Sequence, residues 1–385
     1  MKVREQLLNL AAAVTCLLDD RGTAFATLPS GPFSQLCVPV RSPEVRHYLY
    51  GAFEKVHHAV LRASAYRGLI HTLEANAQAS QFPRRALNPR IAADGSRFAP
   101  DTIYLHLAND TGDAVEITAN GWNVRSAKPA YFRGSSQSLP LPEPAPDAPS
   151  FHSLLETLTG LPAAVCEPCA NWLASALRPT GPYPILILKG PSGSGKSTLA
   201  RLLRLTLDPC IEALPNLPNT ARQIQTYAEQ HHVLVFDHVT HITRQQSEAL
   251  CCATRPIVLT APDRIKLDPE IASRAIVVEL PEIQPAQRRT EAEIGTAFQH
   301  MHAQLLGALC DFASRALAGL ADTKLTALPR NADAAHWIAA AQNVPRPRQH
   351  TRPELKEGTS LLPPPPTSSF LPLSPDRTPV PAGST

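Results

Sequence analysis

The sequence predicts an α/β fold, with a parallel sheet flanked by helices and a small α+β unit ahead of it. Three observations predict this. The apolar run ILIL at 185–188 leads into the stretch GPSGSGKST, and a helical pattern, LARLLRLTL, follows at once. Short apolar runs recur at VLVF (233–236), PIVLT (256–260) and AIVVEL (275–280), separated by segments long enough for crossover helices. Proline-rich stretches then bracket the region at 136–150 and beyond 345.

Taken in order, residues 1–135 read as a small α+β unit. AFATLPS (24–30) and SQLCVPVRS (34–42) predict a hairpin with SGPF at its turn. Residues 43–80 carry Leu, Ile and Val at helical spacing. TIYLHLAND (102–110) and AVEITANGWNVRS (114–126) predict a second hairpin, with Ile103, Leu105 and Leu107 alternating against Tyr104 and His106. The linker at 136–150 has too many prolines for a helix or a central strand. A helical lead-in spans 151–182, with helices at about 151–160 and 164–177. The sheet core spans 183–283, with five strands at 185–189, about 211–214, 233–237, 256–260 and 275–280. A helical lid spans 284–345: one or two helices over 287–320, with Phe298, Met301, Leu305, Leu309, Phe312 and Ala316 forming one stripe, and a shorter helix at about 331–342. Residues 346–385, with LLPPPPTSS and LSPDRTPVP, cannot build a core and read as a disordered tail.

Composition narrows the classes. The chain has 385 residues and a formal net charge of +3, too small to argue for nucleic acid by itself. No run approaches the roughly 18 apolar residues needed to span a bilayer, so no membrane partner is expected. The eight cysteines are scattered and no secretory signal precedes them, which places the chain in the cytoplasm with reduced thiols. Cys166 and Cys169 form a CxxC without a second pair to complete a zinc site. His231, His232, His238 and His241 flank a strand and read as strand-edge residues rather than ligands.

The chemistry starts at Gly190–Thr198. Gly190, Gly195, Lys196 and Ser197 satisfy G-x-x-x-x-G-K-S between a strand and a helix. Glycines allow backbone angles closed to other residues, so the N–H groups of the stretch that includes Pro191, Ser192, Gly193, Ser194 and Thr198 converge on phosphate oxygens. The helix N-terminus adds partial positive charge. Lys196 is placed to reach the β- and γ-phosphates and Ser197 to ligate Mg²⁺, which makes this a P-loop, or Walker A, site for ATP. A second metal anchor is expected at a neighbouring strand tip, and Asp237 ends the VLVF strand there. A strand-terminal Asp can also cap the next helix. Thr260 ends the next strand, and Arg274 opens the last one.

A polar residue at Thr260 and the Ser273–Arg274 pair resemble the AAA+ pattern, with sensor 1 at Thr260 and an arginine finger at Arg274. Such a finger acts on a neighbouring subunit's nucleotide and implies a homo-oligomer. More specifically, GPYPILILKGPSGSGKSTLARLLRLTLDP, VLVFDHVT, RPIVL, SRAIVVELPEI and LPRNADAAHWIAAA resemble ATP-binding proteins of prophages and mobile elements, which look like the helicase half of phage and viral primase-helicases. The likeness covers about 151–345, extends more weakly over the first unit through CVPVRSPEVRHYL and TIYLHLAND, and implies an AAA+-like five-stranded sheet with a helical lid, ATPase activity, and single-stranded DNA or replication proteins as partners. It also implies a sensor-2 role for Arg330.

Three departures qualify that implication. His238 follows Asp237 where an acidic residue usually activates water; histidine can act as a base or serve as a polar spacer. Thr260 stands where Asn is common. Only 22 residues separate Asp237 from Thr260, which leaves no room for the DNA-gripping hairpin of superfamily 3 helicases, and Arg244 and Arg255 are the only basic residues in the interval. The sequence therefore supports an ATPase of mobile-element replication, a hydrolysis-poor nucleotide switch, or, by the loop motif alone, a small-molecule kinase.

Overall fold

The computed structural model describes residues 3–29, 36–81, 84, 86–95, 100–126 and 132–345. The SGPF turn and the proline-rich tail predicted for 346–385 lie outside the described residues. Near the N-terminus, α1 (Val3–Ala12), β1 (Thr15–Leu18), β2 (Ala24–Thr27), β3 (Cys37–Pro39), α2 (Pro43–His57) and α3 (Ala63–Gln78) make a three-stranded antiparallel sheet with helices packed on it. Cys16, Leu18 and Val38 from the sheet meet Val45, Leu49 and Leu73 from the helices in one core. The predicted 24–42 hairpin is the β2–β3 pair, whereas β1 went unread because TCLL offers only four residues.

A four-stranded antiparallel meander follows: β4 (Ile91–Gly95), β5 (Pro100–His106), β6 (Asp113–Thr118) and β7 (Gly121–Ser126). The stretch 114–126, expected as one strand, turns back on itself at Thr118–Gly121 and supplies two. One face of this sheet, with Ile103, Leu105, Val115, Ile117 and Trp122, shares a core with the later helices. The Trp122 indole donates to the Asp311 carboxylate at 2.9 Å inside that core.

Residues 136–150 form neither helix nor strand, and they are tightly strapped. Leu141 N–H donates to Leu107 at 2.7 Å, Leu139 N–H to Pro209 at 2.9 Å and Ala145 N–H to Ala303 at 2.8 Å. The strap lies so close to its helix that a Cβ on Gly307 would stand 1.8 Å from the Ala145 carbonyl oxygen.

The remainder is a layered α/β unit: α4 (Phe151–Thr159), α5 (Ala163–Ala176), β8 (Ile185–Lys189), α6 (Lys196–Leu207), α7 (Ala221–Gln230), β9 (Leu234–Phe236), α8 (Arg244–Cys252), β10 (Ile257–Ala261), α9 (Pro269–Arg274), β11 (Ala275–Glu279), α10 (Glu291–Gly319) and α11 (Ala332–Asn343). The parallel sheet runs β11-β8-β10-β9. Strands β8, β9 and β10 are apolar on both faces because both are covered, whereas Val277 and Glu279 of β11 are exposed. Leu186, Leu188, Val235 and Val258 face α6 and the α4, α5 and α10 side, while Ile185, Ile187, Phe236 and Leu259 face α7, α8 and α9.

Among the described residues the sheet has four strands, not the five expected, and the strand predicted at about 211–214 does not form. Its neighbourhood keeps one isolated parallel bridge, Asn216 to Asp237, with the Asp237 N–H donating to Pro215 at 3.0 Å. Pro215 and Pro218 lack the N–H groups that a longer ladder needs. Among the described residues no helix is long and apolar enough to cross a membrane.

A buried charge cluster ties these parts together. Arg90, just before β4, is fully buried, and its Nε donates to Asp208 Oδ1 at 3.0 Å. Its other nitrogens donate to the carbonyls of His106, Leu139 and Pro209 at 3.1–3.2 Å. The other Asp208 oxygen accepts the N–H groups of His232 at 2.7 Å and Val233 at 3.0 Å, which fixes the start of β9. These ties hold the Asp208 carboxyl well below its usual range despite the opposing effect of burial, the Arg90 and Arg204 guanidinium groups being the main cause.

Candidate functional site

The stretch 190–195 leaves the C-terminal end of β8, an interior strand, and feeds directly into α6. Gly190 has φ +154, and an added Cβ would stand 2.7 Å from the Leu280 carbonyl oxygen and from Ser194 Oγ. Gly193 and Gly195 have φ +78 and +80, a backbone region where L side chains are strained. The loop shape therefore depends on these glycines. Pro191, Ser192 and Gly193 are exposed on it, Ser194 is buried beneath it, and Thr198 is half-buried on the first turn of α6. Lys196 Nζ donates to the carbonyls of Gly190 at 2.8 Å and Pro191 at 2.6 Å. No carboxylate pairs with it among the described residues.

Three predicted residues converge at the foot of the loop. Ser197 Oγ donates to Asp237 Oδ1 at 2.8 Å. The Thr260 hydroxyl donates to the same oxygen. The His238 N–H donates to Thr260 Oγ1 at 3.0 Å, and His238 Nε2 lies 3.5 Å from Asp237 Oδ2. The sheet explains the meeting: β8, β9 and β10 are parallel neighbours, so the residues that end them share one edge, where ligands of open α/β sheets bind. His238 has φ +52, uncommon for a residue with a Cβ, and its side chain is 80% exposed beside this cluster.

Arg274 is not part of this cluster. Ala275, the next residue, pairs with Ile185 at the start of β8, whereas the loop follows Lys189 at its end. The intervening strand is about 16 Å long. Arg274 pairs with Glu270 at 3.1 Å. Arg330 sits beside it: the neighbouring Asn331 side chain donates to the Arg274 carbonyl at 3.3 Å. Arg330, expected in a sensor-2 position, thus lies at the far edge of the sheet in this chain. Arg255 is also at that edge, just before β10, where its Nε donates to Ala228 at 2.9 Å and it lines a cleft of about 770 Å³ with Arg21, Arg133 and Glu229. Arg244 pairs with Glu248 on the surface of α8.

One cation at the loop went unread. A Cβ on Gly193 would lie 3.9 Å from Arg288 Nη2. Sequence periodicity places Arg288 in a helix over 287–320, but α10 starts at Glu291, with Thr290 and Glu293 forming a capping box. That Thr-x-x-Glu signal marks the boundary and leaves Arg288 in the preceding segment.

A family model described as an actinomycete integrative conjugative element replication protein matches residues 153–255. The match is well under half of the chain; it includes the loop and Asp237 and ends before Thr260. Two solved structures, both A-form apo structures of the NrS-1 C-terminal region, are 12% identical and cover 79% of this chain and 67% of theirs, with TM-scores of 0.42 and 0.37. That likeness is too remote to carry an argument. No curated protein matches the chain.

Proposed function

We propose that this chain is a Mg²⁺-dependent ATP-binding protein, an ATPase serving the replication of a mobile genetic element. The observation that carries the reading is the convergence of Ser197 and Thr260 on the Asp237 carboxylate at the foot of a loop shaped by positive-φ glycines. The match of 153–255 to a conjugative-element replication family supports the biological setting.

The donor set fits the group it would hold. A hydroxyl and a carboxylate oxygen 2.8 Å apart are hard ligands of the kind that Mg²⁺ takes alongside water and phosphate oxygens. The loop N–H groups and the N-terminus of α6 suit the phosphates, and Lys196 supplies a cation without a competing carboxylate. Bound there, Mg²⁺ would neutralise charge on the phosphate oxygens. Thr260 holds Asp237 in place and, through its hydroxyl, fixes the His238 backbone. His238 then presents an exposed imidazole next to the carboxylate as the base that accepts the proton of the attacking water.

Between Asp237 and Thr260 the chain holds α8 and the start of β10, with no hairpin to grip a strand of DNA. Arg244 and Arg255, the basic residues of that interval, are tied to Glu248 and to the Ala228 carbonyl. This favours ATP turnover coupled to a replication complex over processive unwinding by this chain alone. Arg274 is half-buried, paired with Glu270 and away from the loop of its own subunit, so an arginine-finger role for it would require release from Glu270 and a neighbour's nucleotide in a homo-oligomer. ATP turnover measured with and without single-stranded DNA tests the reading. Hydrolysis that needs Mg²⁺ supports it. Tight ATP binding without turnover makes the protein a nucleotide switch, and phosphate transfer to a metabolite makes it a kinase.

A further inference from the structure

The segment that leaves β11 lies along the glycine loop. Leu280 N–H donates to the Lys189 carbonyl at 2.8 Å, carrying the chain past the end of β8. Three contacts follow. A Cβ on Gly190 would meet Leu280 O at 2.7 Å, one on Gly195 would meet Ile283 Cδ1 at 3.2 Å, and one on Gly193 would meet Arg288 Nη2 at 3.9 Å. The segment is held at both ends. A short 3₁₀ turn, Pro285–Gln287, precedes Arg288, whose Nε donates to Ile283 at 3.4 Å. Arg289 Nη1 donates to the Leu158 carbonyl at the end of α4 at 2.8 Å, and Thr290 caps α10.

The neighbouring cations are engaged. Arg201 pairs with Glu291 at 3.3 Å, and Arg289 is spent on Leu158. Arg288 has no carboxylate partner among the described residues, and its Nη2 faces the exposed turn of the loop.

We infer that Arg288 is the arginine that contacts the nucleotide's phosphate chain in the same subunit, with residues 280–288 as the strap that positions it. The inference rests on the reading of the loop as an ATP site. A guanidinium on a phosphate makes charge-assisted hydrogen bonds in a fork that an ammonium cannot reproduce.

The test is a titration of a fluorescent ATP analogue with Mg²⁺ into the full chain, the Arg288→Ala, Arg288→Lys and Lys196→Ala variants, with melting of each nucleotide-free protein alongside. Arg288→Ala should weaken binding roughly tenfold or more, and Arg288→Lys should recover part of that loss, with melting unchanged. Unchanged affinity in Arg288→Ala, while Lys196→Ala loses binding, overturns the Arg288 assignment and leaves the loop reading intact. Equal losses in the Ala and Lys variants, accompanied by lower melting, also overturn it by making the residue structural. No binding by the unaltered chain overturns the loop reading and the Arg288 assignment together.

Discussion

The two edges of the parallel sheet are built from the same residue types and do opposite things with them. At the N-terminal edge, three arginines have carboxylate partners, Arg90 with Asp208, Arg274 with Glu270, and Arg21 with Glu229 at 2.8 Å, while Arg255 donates to the Ala228 carbonyl. At the C-terminal edge, the two cations beside the loop, Lys196 and Arg288, have only carbonyl or hydroxyl partners among the described residues, and one carboxylate collects two hydroxyls. Matched charges hold a structure together. Cations without a fixed counter-charge, set beside a convergent oxygen cluster, leave room for an anion that comes and goes.

Substitutions at the two edges should therefore separate cleanly. The largest expected effect is at the loop: Lys196→Ala abolishes ATP binding while the thermal midpoint of the nucleotide-free protein stays put. A fall in both would erase the contrast between edges. At the other edge, Arg90→Ala leaves Asp208 buried without its partner and should cost about 3–5 kcal/mol in denaturant unfolding. A loss under about 1 kcal/mol would mean that water replaces the guanidinium and that the matched edge is not a structural device.

The histidines give the contrast a pH signature. Burial lowers the pKa of His106 to about 3 and those of His231, His232 and His302 to about 4, with Arg90 or other arginine charges adding to the effect. The unfolded value is about 6.5. Between these values the unfolded chain binds more protons, so stability falls as pH drops from about 6.5 toward 4 and is fully retained above that range. The midpoint should therefore drop steadily over that window. A flat profile would mean that these rings are solvated in the folded protein. The smallest effect expected is from Thr290→Ala, which removes the cap of α10 and should cost about 1 kcal/mol. Because that cap also ends the strap, the same variant should weaken ATP binding slightly, which sharpens the link between strap and loop.

The loop edge was legible because its signals are local. GPSGSGKST needs only its own spacing, and Asp237 and Thr260 are marked by ending apolar runs. Their meeting at one oxygen then follows from parallel pairing in register. The strand expected at 211–214 failed because the run IEAL is apolar enough, but the prolines behind it deny the ladder its donors. The matched edge was opaque for a different reason. Arg90 sits in NPRIAADG and looks like a surface arginine; its burial depends on Asp208, more than a hundred positions away. Arg288 was hidden by periodicity continued one turn too far, past a capping box that marks where the helix starts.

Ser197, Asp237 and Lys196 are proposed to hold Mg·ATP at the loop edge. Calorimetric titration of ATP, with Mg²⁺ and with a chelator, into the unaltered chain and into Asp237→Asn tests this role most directly. Saturable binding that is tighter with Mg²⁺, with that Mg²⁺ advantage lost in Asp237→Asn, is the expected result. Binding of equal strength in all four titrations, or no binding in any, would contradict it.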